Sequence, residues 1–104
     1  MYIIYIKYQG DDVIMTNNVI FNKSDYKILT TLLDKECFSE IASLSIKDIA
    51  TFSELSIPKV RMTLKSFLLT DLVRLGAKDG VSNTYYITEK GLDFINKALG
   101  RGGE

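Results

Sequence analysis

The chain has 104 residues, 46% of them apolar and 25% charged, with thirteen basic and thirteen acidic side chains. That length supports one core and excludes two full domains. A net charge of zero provides no general attraction to nucleic acid, so any such affinity has to come from local charge.

Histidine is absent, which removes the commonest general base and metal ligand. Cys37 is alone, cannot close a disulfide within the chain, and reads as a small half-buried residue. No glycine-rich phosphate loop, no Gly-x-Ser-x-Gly elbow and no calcium-loop spacing occurs. The sequence therefore predicts a non-enzyme with no cofactor and no metal site. No apolar run approaches the ~18 residues of a membrane span. The first residues lack the basic start and small-residue cleavage site of a secretory signal. A cytoplasmic protein without membrane contact is expected. Lysines outnumber arginines ten to three, and isoleucine and asparagine are frequent, as in AT-rich bacterial, plasmid or phage genomes.

From the N-terminus, residues 2–8 (YIIYIKY) have the β-branched and aromatic composition of a strand. Gln9 to Asp12 reads as a turn and Val13 to Thr16 as the returning strand, giving an N-terminal β-hairpin over about 2–16. Tyr2, Ile4, Ile6 and Tyr8 alternate with Ile3 and Tyr5, so both faces are apolar. A strand buried on one side needs only one such face. Packing on the same domain and a dimer interface both explain the second. Asn17 to Asn22 reads as a connection anchored by Val19, Ile20 and Phe21. Asn22 or Ser24 can cap a helix over roughly Asp25 to Lys35, with Tyr26, Ile28, Leu29, Leu32 and Leu33 inward. Glu36 to Leu44 is the least regular stretch, with a short helical turn expected around Ser39 to Ser43.

The organising segment runs from Ser45 to Thr88. Ser45 can cap a helix whose first turn carries Asp48 and whose inward face carries Ile46, Ile49, Ala50 and Phe52. Ser53-Glu54-Leu55 is a connection of helix-turn-helix length. Ser56 is a good N-cap, and Pro58, the only proline, falls in the first turn, where a missing N–H costs nothing. Val60, Leu64, Phe67 and Leu68 form the buried stripe. Lys59, Arg61, Thr63, Lys65 and Ser66 are left on the opposite face. After Asp71 the period becomes strand-like: Leu72 to Leu75, a turn-rich tip with Asp79-Gly80 as the hairpin signal, and Asn83 to Ile87 returning. Thr88 can cap a last helix from Glu89 to about Leu99, with Leu92, Ile95 and Leu99 at helical spacing. Residues 100–104 are expected to be a disordered tail.

This order, with Ser-x-Pro opening the second helix, Asp71-Leu72-Val73 at the corner and Tyr85-Tyr86-Ile87-Thr88-x-x-Gly91 closing the hairpin, resembles the winged helix-turn-helix superfamily of DNA-binding proteins. The resemblance covers about two-thirds of the chain. It implies an α+β fold: one winged helix-turn-helix domain over 1–99 with an additional N-terminal β-hairpin. Asp71 stands where the superfamily usually has a glycine, which predicts a looser or longer corner. Met62 stands where a polar groove residue is common. Plasmid-encoded winged-helix proteins of this size serve in segregation (TubR-like) and in conjugative transfer (TcpK-like), and no motif here selects between them.

Charge is unevenly distributed. Residues 1–55 carry five basic and eight acidic side chains, a net −3; residues 56–78 carry five and one, a net +4; residues 79–104 carry three and four, a net −1. A duplex responds to the field within about 8–10 Å more than to the total. The expected partner is double-stranded DNA, met as a homodimer, and a larger nucleoprotein assembly fits repeated sites. The second helix (57–70) would enter the major groove with Lys59, Arg61, Met62, Thr63, Lys65 and Ser66. The wing (72–87) would bring Arg74, Lys78 and Asn83, helped by Ser82, to the flanking backbone or minor groove. Arg61 is the better reader of guanine, because its planar fork matches O6 and N7. Helix and wing are expected to share the binding, with the wing more important than in a typical regulator. The competing reading is a protein-interaction module whose basic face meets an acidic partner. Transcriptional regulator and plasmid or phage accessory factor both fit the DNA-binding reading.

Overall fold

The computed structural model describes residues 4–8, 11–16 and 19–98, with side chains from residue 22 to residue 98. In chain order these form β1 (Ile4–Tyr8), β2 (Asp11–Thr16), β3 (Val19–Asn22), α1 (Lys23–Asp34), β4 (Leu44–Ser45), α2 (Ile46–Ser53), α3 (Ile57–Leu69), β5 (Val73–Leu75), β6 (Thr84–Ile87) and α4 (Glu89–Ala98). There are two antiparallel sheets, ordered β1-β2-β3 and β4-β6-β5. The stretch expected to be a connection is in part β3, with Asn22 opposite Val13. Its Val-Ile-Phe run has strand composition. The two-faced packing of residues 2–8, the anchoring by Val19, Ile20 and Phe21, the place of Leu99 and the state of residues 100–104 lie outside the described residues and side chains.

One core joins the four helices to the second sheet. Ile28, Leu29 and Leu32 of α1, Ile49 of α2, Val60 and Leu64 of α3, Val73, Ile87 and Ile95 are each at most 2% exposed. The first three helices start on a side-chain cap. Asn22 accepts a hydrogen bond from the Asp25 N–H (2.9 Å), Ser45 from Asp48 (3.2 Å) and Ser56 from Lys59 (3.3 Å). Such caps satisfy donors that have no partner inside the helix.

The helix ends use an unusual residue. Glu36, Glu54 and Asp71 adopt left-handed φ values of 56°, 62° and 62°, where glycine is the usual occupant. Asp71 therefore does what the missing corner glycine would have done. The Leu72 N–H reaches back to the Phe67 carbonyl (2.9 Å) and the Asp71 N–H to that of Leu68 (3.3 Å). The corner is neither looser nor longer.

Three further expectations are corrected. Ser39 to Ser43 bends without forming a helical turn. The backbone around it is committed to the wing instead, since the Cys37 carbonyl accepts from the Ile87 N–H and the Glu40 carbonyl from Ala77, both at 2.9 Å. Phe52 does not face inward; it is 48% exposed and carries the Lys35 ammonium 4.1 Å above its ring. In α2 the inward positions are Ile49, Ala50 and Ser53, and Phe52 falls outside that spacing. Leu68 is only half-buried.

Thr88 and Gly91 tie the wing to the last helix. The Thr88 hydroxyl lies 2.6 Å from the Asp71 carbonyl, to which it donates, and accepts from the Gly91 N–H at 3.0 Å. A Cβ on Gly91 would collide with the Leu72 carbonyl oxygen, so only glycine fits there.

Candidate nucleic-acid interface

The outward face of α3 follows from which residues its back consumes. Val60, Thr63, Leu64 and Phe67 are buried, a spacing of three and four that marks a single stripe. Thr63 therefore belongs to the core side, 7% exposed, and not to the groove-facing set the sequence placed it in. Arg61, Met62, Lys65 and Ser66 are exposed, with Met62 at 68%. Lys59 is half-buried and close enough to Asp25 at the start of α1 to help stabilise that carboxylate. Burial is the larger influence on Asp25 and holds its pKa above the ordinary carboxylate value. A hydrogen bond from the Asn22 backbone and the charge of Lys59 offset this in part.

The wing presents its cations differently. Arg74 makes a two-pronged pair with Asp71, Nε to Oδ1 at 2.9 Å and Nη2 to Oδ2 at 3.1 Å. The hydrogen bond from Arg74 keeps the Asp71 carboxyl below its usual pKa, with further help from the Arg74 and Lys90 charges. Lys78, Ser82 and Asn83 are exposed. The tip closes between Asp79 and Ser82, whose backbones exchange two hydrogen bonds of 3.0 Å. The central pair is Gly80-Val81 and not Asp79-Gly80. Gly80 has φ 66°, the pattern of a turn with glycine at its first central position. Val81 at the apex is 93% exposed. Among the described residues, Arg61, Lys65 and Lys78 form no ion pair.

Two depressions divide these residues. A cleft of about 430 Å³ between the starts of α2 and α3 and the wing gathers Arg61 and Asn83 with Ser45, Lys47, Ser82 and Tyr85. A second, of about 460 Å³, contains Asp71, Arg74, Tyr86, Thr88 and Lys90. Arg61 and Asn83 thus come together, whereas Arg74 lies in a separate hollow with its acidic partner. Sequence reasoning missed Lys47, Ser45 and Tyr85. A lysine in the first turn of the first of two paired helices was the available signal. Among the described residues no three acidic or cysteine side chains gather as a metal site, and no helix is long and apolar enough to cross a membrane.

Two helices joined by a tight turn, followed by a hairpin whose returning strand pairs with the short strand before α2, define a winged helix-turn-helix protein. No family model matches the chain. It is 39% identical over 78 residues to the DNA-binding protein TubR of Clostridium botulinum C phage, a match spanning 75% of this chain and 96% of that protein. The chain belongs to the TubR family. The solved DNA-binding TubR fragment of Clostridium botulinum superposes with a TM-score of 0.62 at 37% identity, covering 73% of this chain and 94% of the fragment. TubR from Bacillus megaterium pBM400 gives 0.67 at 23% identity, with 76% and 87% covered. ZitR of Lactococcus lactis in complex with DNA gives 0.61 at 17% identity, with 82% and 55% covered. The last two show the fold alone.

Proposed function

We propose that this is a non-catalytic protein that binds double-stranded DNA as a homodimer and serves the segregation of the plasmid or phage genome that carries it. The observation that carries this reading is the exposed face of α3. In a chain of zero net charge, Arg61 and Lys65 stand on it with no carboxylate engaged among the described residues. The names of its relatives, a DNA-binding protein TubR from a phage and a DNA-binding TubR fragment from Clostridium botulinum, support a role on a mobile replicon. They also favour segregation over conjugative transfer.

Mechanistically, α3 enters the major groove with Arg61 and Lys65 foremost. Ser66 adds a neutral hydrogen bond, and Met62 offers only apolar contact, suited to a thymine methyl. Lys59 contributes less than its charge implies, because Asp25 shares it. Thr63 contributes packing. The wing delivers Lys78 and Asn83 to the adjoining backbone, with Arg74 weakened by Asp71. A homodimer would place two α3 helices on half-sites about 34–36 Å apart, one turn of the duplex. Light scattering at micromolar concentration should give twice the 11.7 kDa chain mass.

The test is footprinting on the DNA flanking the gene, with titrations at several salt concentrations. Protected repeats and a log–log salt dependence are expected. Failure to bind any duplex, together with capture of an acidic protein, would transfer the basic face to the competing reading.

A further inference from the structure

Within the cleft between α2, α3 and the wing, Tyr85 is only 6% exposed. Its phenol hydroxyl has no hydrogen-bond partner among the described residues. A buried hydroxyl left unpaired is costly, so such a group calls for an acceptor from outside the chain. The rest of the lining is rich in donors. Lys47 and Arg61 bring cations from α2 and α3, and Ser82 and Asn83 bring neutral donors from the wing. Ser45 caps the Asp48 N–H, which leaves the earlier N–H groups of the eight-residue α2 without a partner inside the helix.

Resting on the DNA reading above, we infer that this cleft holds one backbone phosphate diester of the docked duplex, with Tyr85 as its buried donor and Lys47 as its charge. The cleft lies where the strand leaving α3 must pass before it reaches the wing. A contact there sets the angle between helix and wing on the DNA.

Asp48 and Asp79 also line the cleft, so its formal charge is zero. It therefore exerts no pull on a free anion. It takes a phosphate only when the duplex is already held by α3, which makes it a positioning contact that is indifferent to base sequence.

Two variants test this against a cognate and a scrambled duplex. Tyr85→Phe removes one oxygen at almost constant volume. It should keep or raise the melting temperature of the free protein, since it removes an unpaired hydroxyl, and weaken both duplexes equally, by roughly tenfold, the size of one hydrogen bond to a charged oxygen. Lys47→Ala, on the surface, should lower the salt slope by about 0.9 on both. Inorganic phosphate in the millimolar range should leave the Tyr85 and Lys47 resonances unmoved. If both variants bind as wild type while Arg61→Ala is weakened, the cleft assignment is wrong and the DNA reading stands. If free phosphate saturates the cleft, it is an anion pocket independent of the duplex, which also overturns the assignment. If the unaltered protein binds no duplex, the DNA reading falls and this inference falls with it.

Discussion

The second helix of the pair and the wing carry nearly the same number of cations, but they do not offer the same charge. On α3, Arg61 and Lys65 are exposed, and among the described residues no carboxylate engages them. On the wing, Arg74 is held by both oxygens of Asp71, and Lys78 stands beside Asp79 at the tip. The left-handed turn at Asp71 closes the corner, and its carboxylate then pairs with Arg74 three residues on. The residue that replaces the corner glycine thus costs the wing an available charge. On the proposed DNA reading what matters is the number of cations free to meet the duplex, and among the described residues α3 offers Arg61 and Lys65 where the wing offers Lys78. This shifts weight away from equal sharing.

The largest effect that would break this comparison comes from the helix. Arg61→Ala combined with Lys65→Ala should cost at least the roughly 1–3 kcal/mol of one bidentate base contact. The salt slope should fall by ~0.9 for each phosphate that the variant no longer neutralises. Binding within a factor of about two of wild type, under ~0.5 kcal/mol, would move the centre of recognition to the wing.

Arg74→Ala with Lys78→Ala comes next. Only Lys78 is expected to be freely available, so the slope should fall by the ~0.9 of a single phosphate, with no change in sequence preference. A weakening as large as that of the helix pair would restore equal sharing.

A smaller effect, of opposite sign, isolates the corner. Asp71→Asn should release Arg74, raising affinity for cognate and scrambled duplexes alike and steepening the salt dependence. Acid should act in the same direction. Asp71 has its carboxyl pKa lowered in the folded protein. The pair's contribution to stability is therefore complete above the ordinary carboxylate value and is lost as pH falls through the depressed one. Carbon-detected titration of the Asp71 carboxyl would check it. A midpoint at or above the free-aspartate value would show that the pair does not persist in solution.

The smallest effect should leave DNA binding untouched. Glu54 holds φ 62° and puts a negative charge at a helix C-terminus, both mildly unfavourable. Glu54→Gly should raise stability by up to about 1 kcal/mol in urea melts without altering affinity. A changed affinity would mean that the turn between α2 and α3 sets the pose of α3 on DNA.

Local signals made much of the described fold legible beforehand. Ser45 and Ser56 cap the helices they were expected to cap, and Pro58 sits in the first turn of α3. Thr88 caps the last helix as expected, because its hydroxyl and the Gly91 N–H are three residues apart; its bond to the Asp71 carbonyl and the close approach of Gly91 to Leu72 join distant stretches. Arg61 and Asn83 were also legible as candidates, though not their meeting in one cleft with Lys47 and Tyr85.

By itself, then, the sequence determined the order of most helices and strands, their caps and the concentration of positive charge between residues 56 and 78, since each depends on neighbours a few positions apart. The tertiary structure alone decided which of those charges are free and which side of each helix is covered. Thr63 turned inward because the buried stripe of α3 is wider than its apolar residues suggest. Phe52 stayed out because α2 is short and its inward spacing skips that position. Arg74 lost its freedom because a left-handed residue at the corner puts a carboxylate within reach. Packing and ion pairing depend on how the elements meet in space, and no local spacing encodes that.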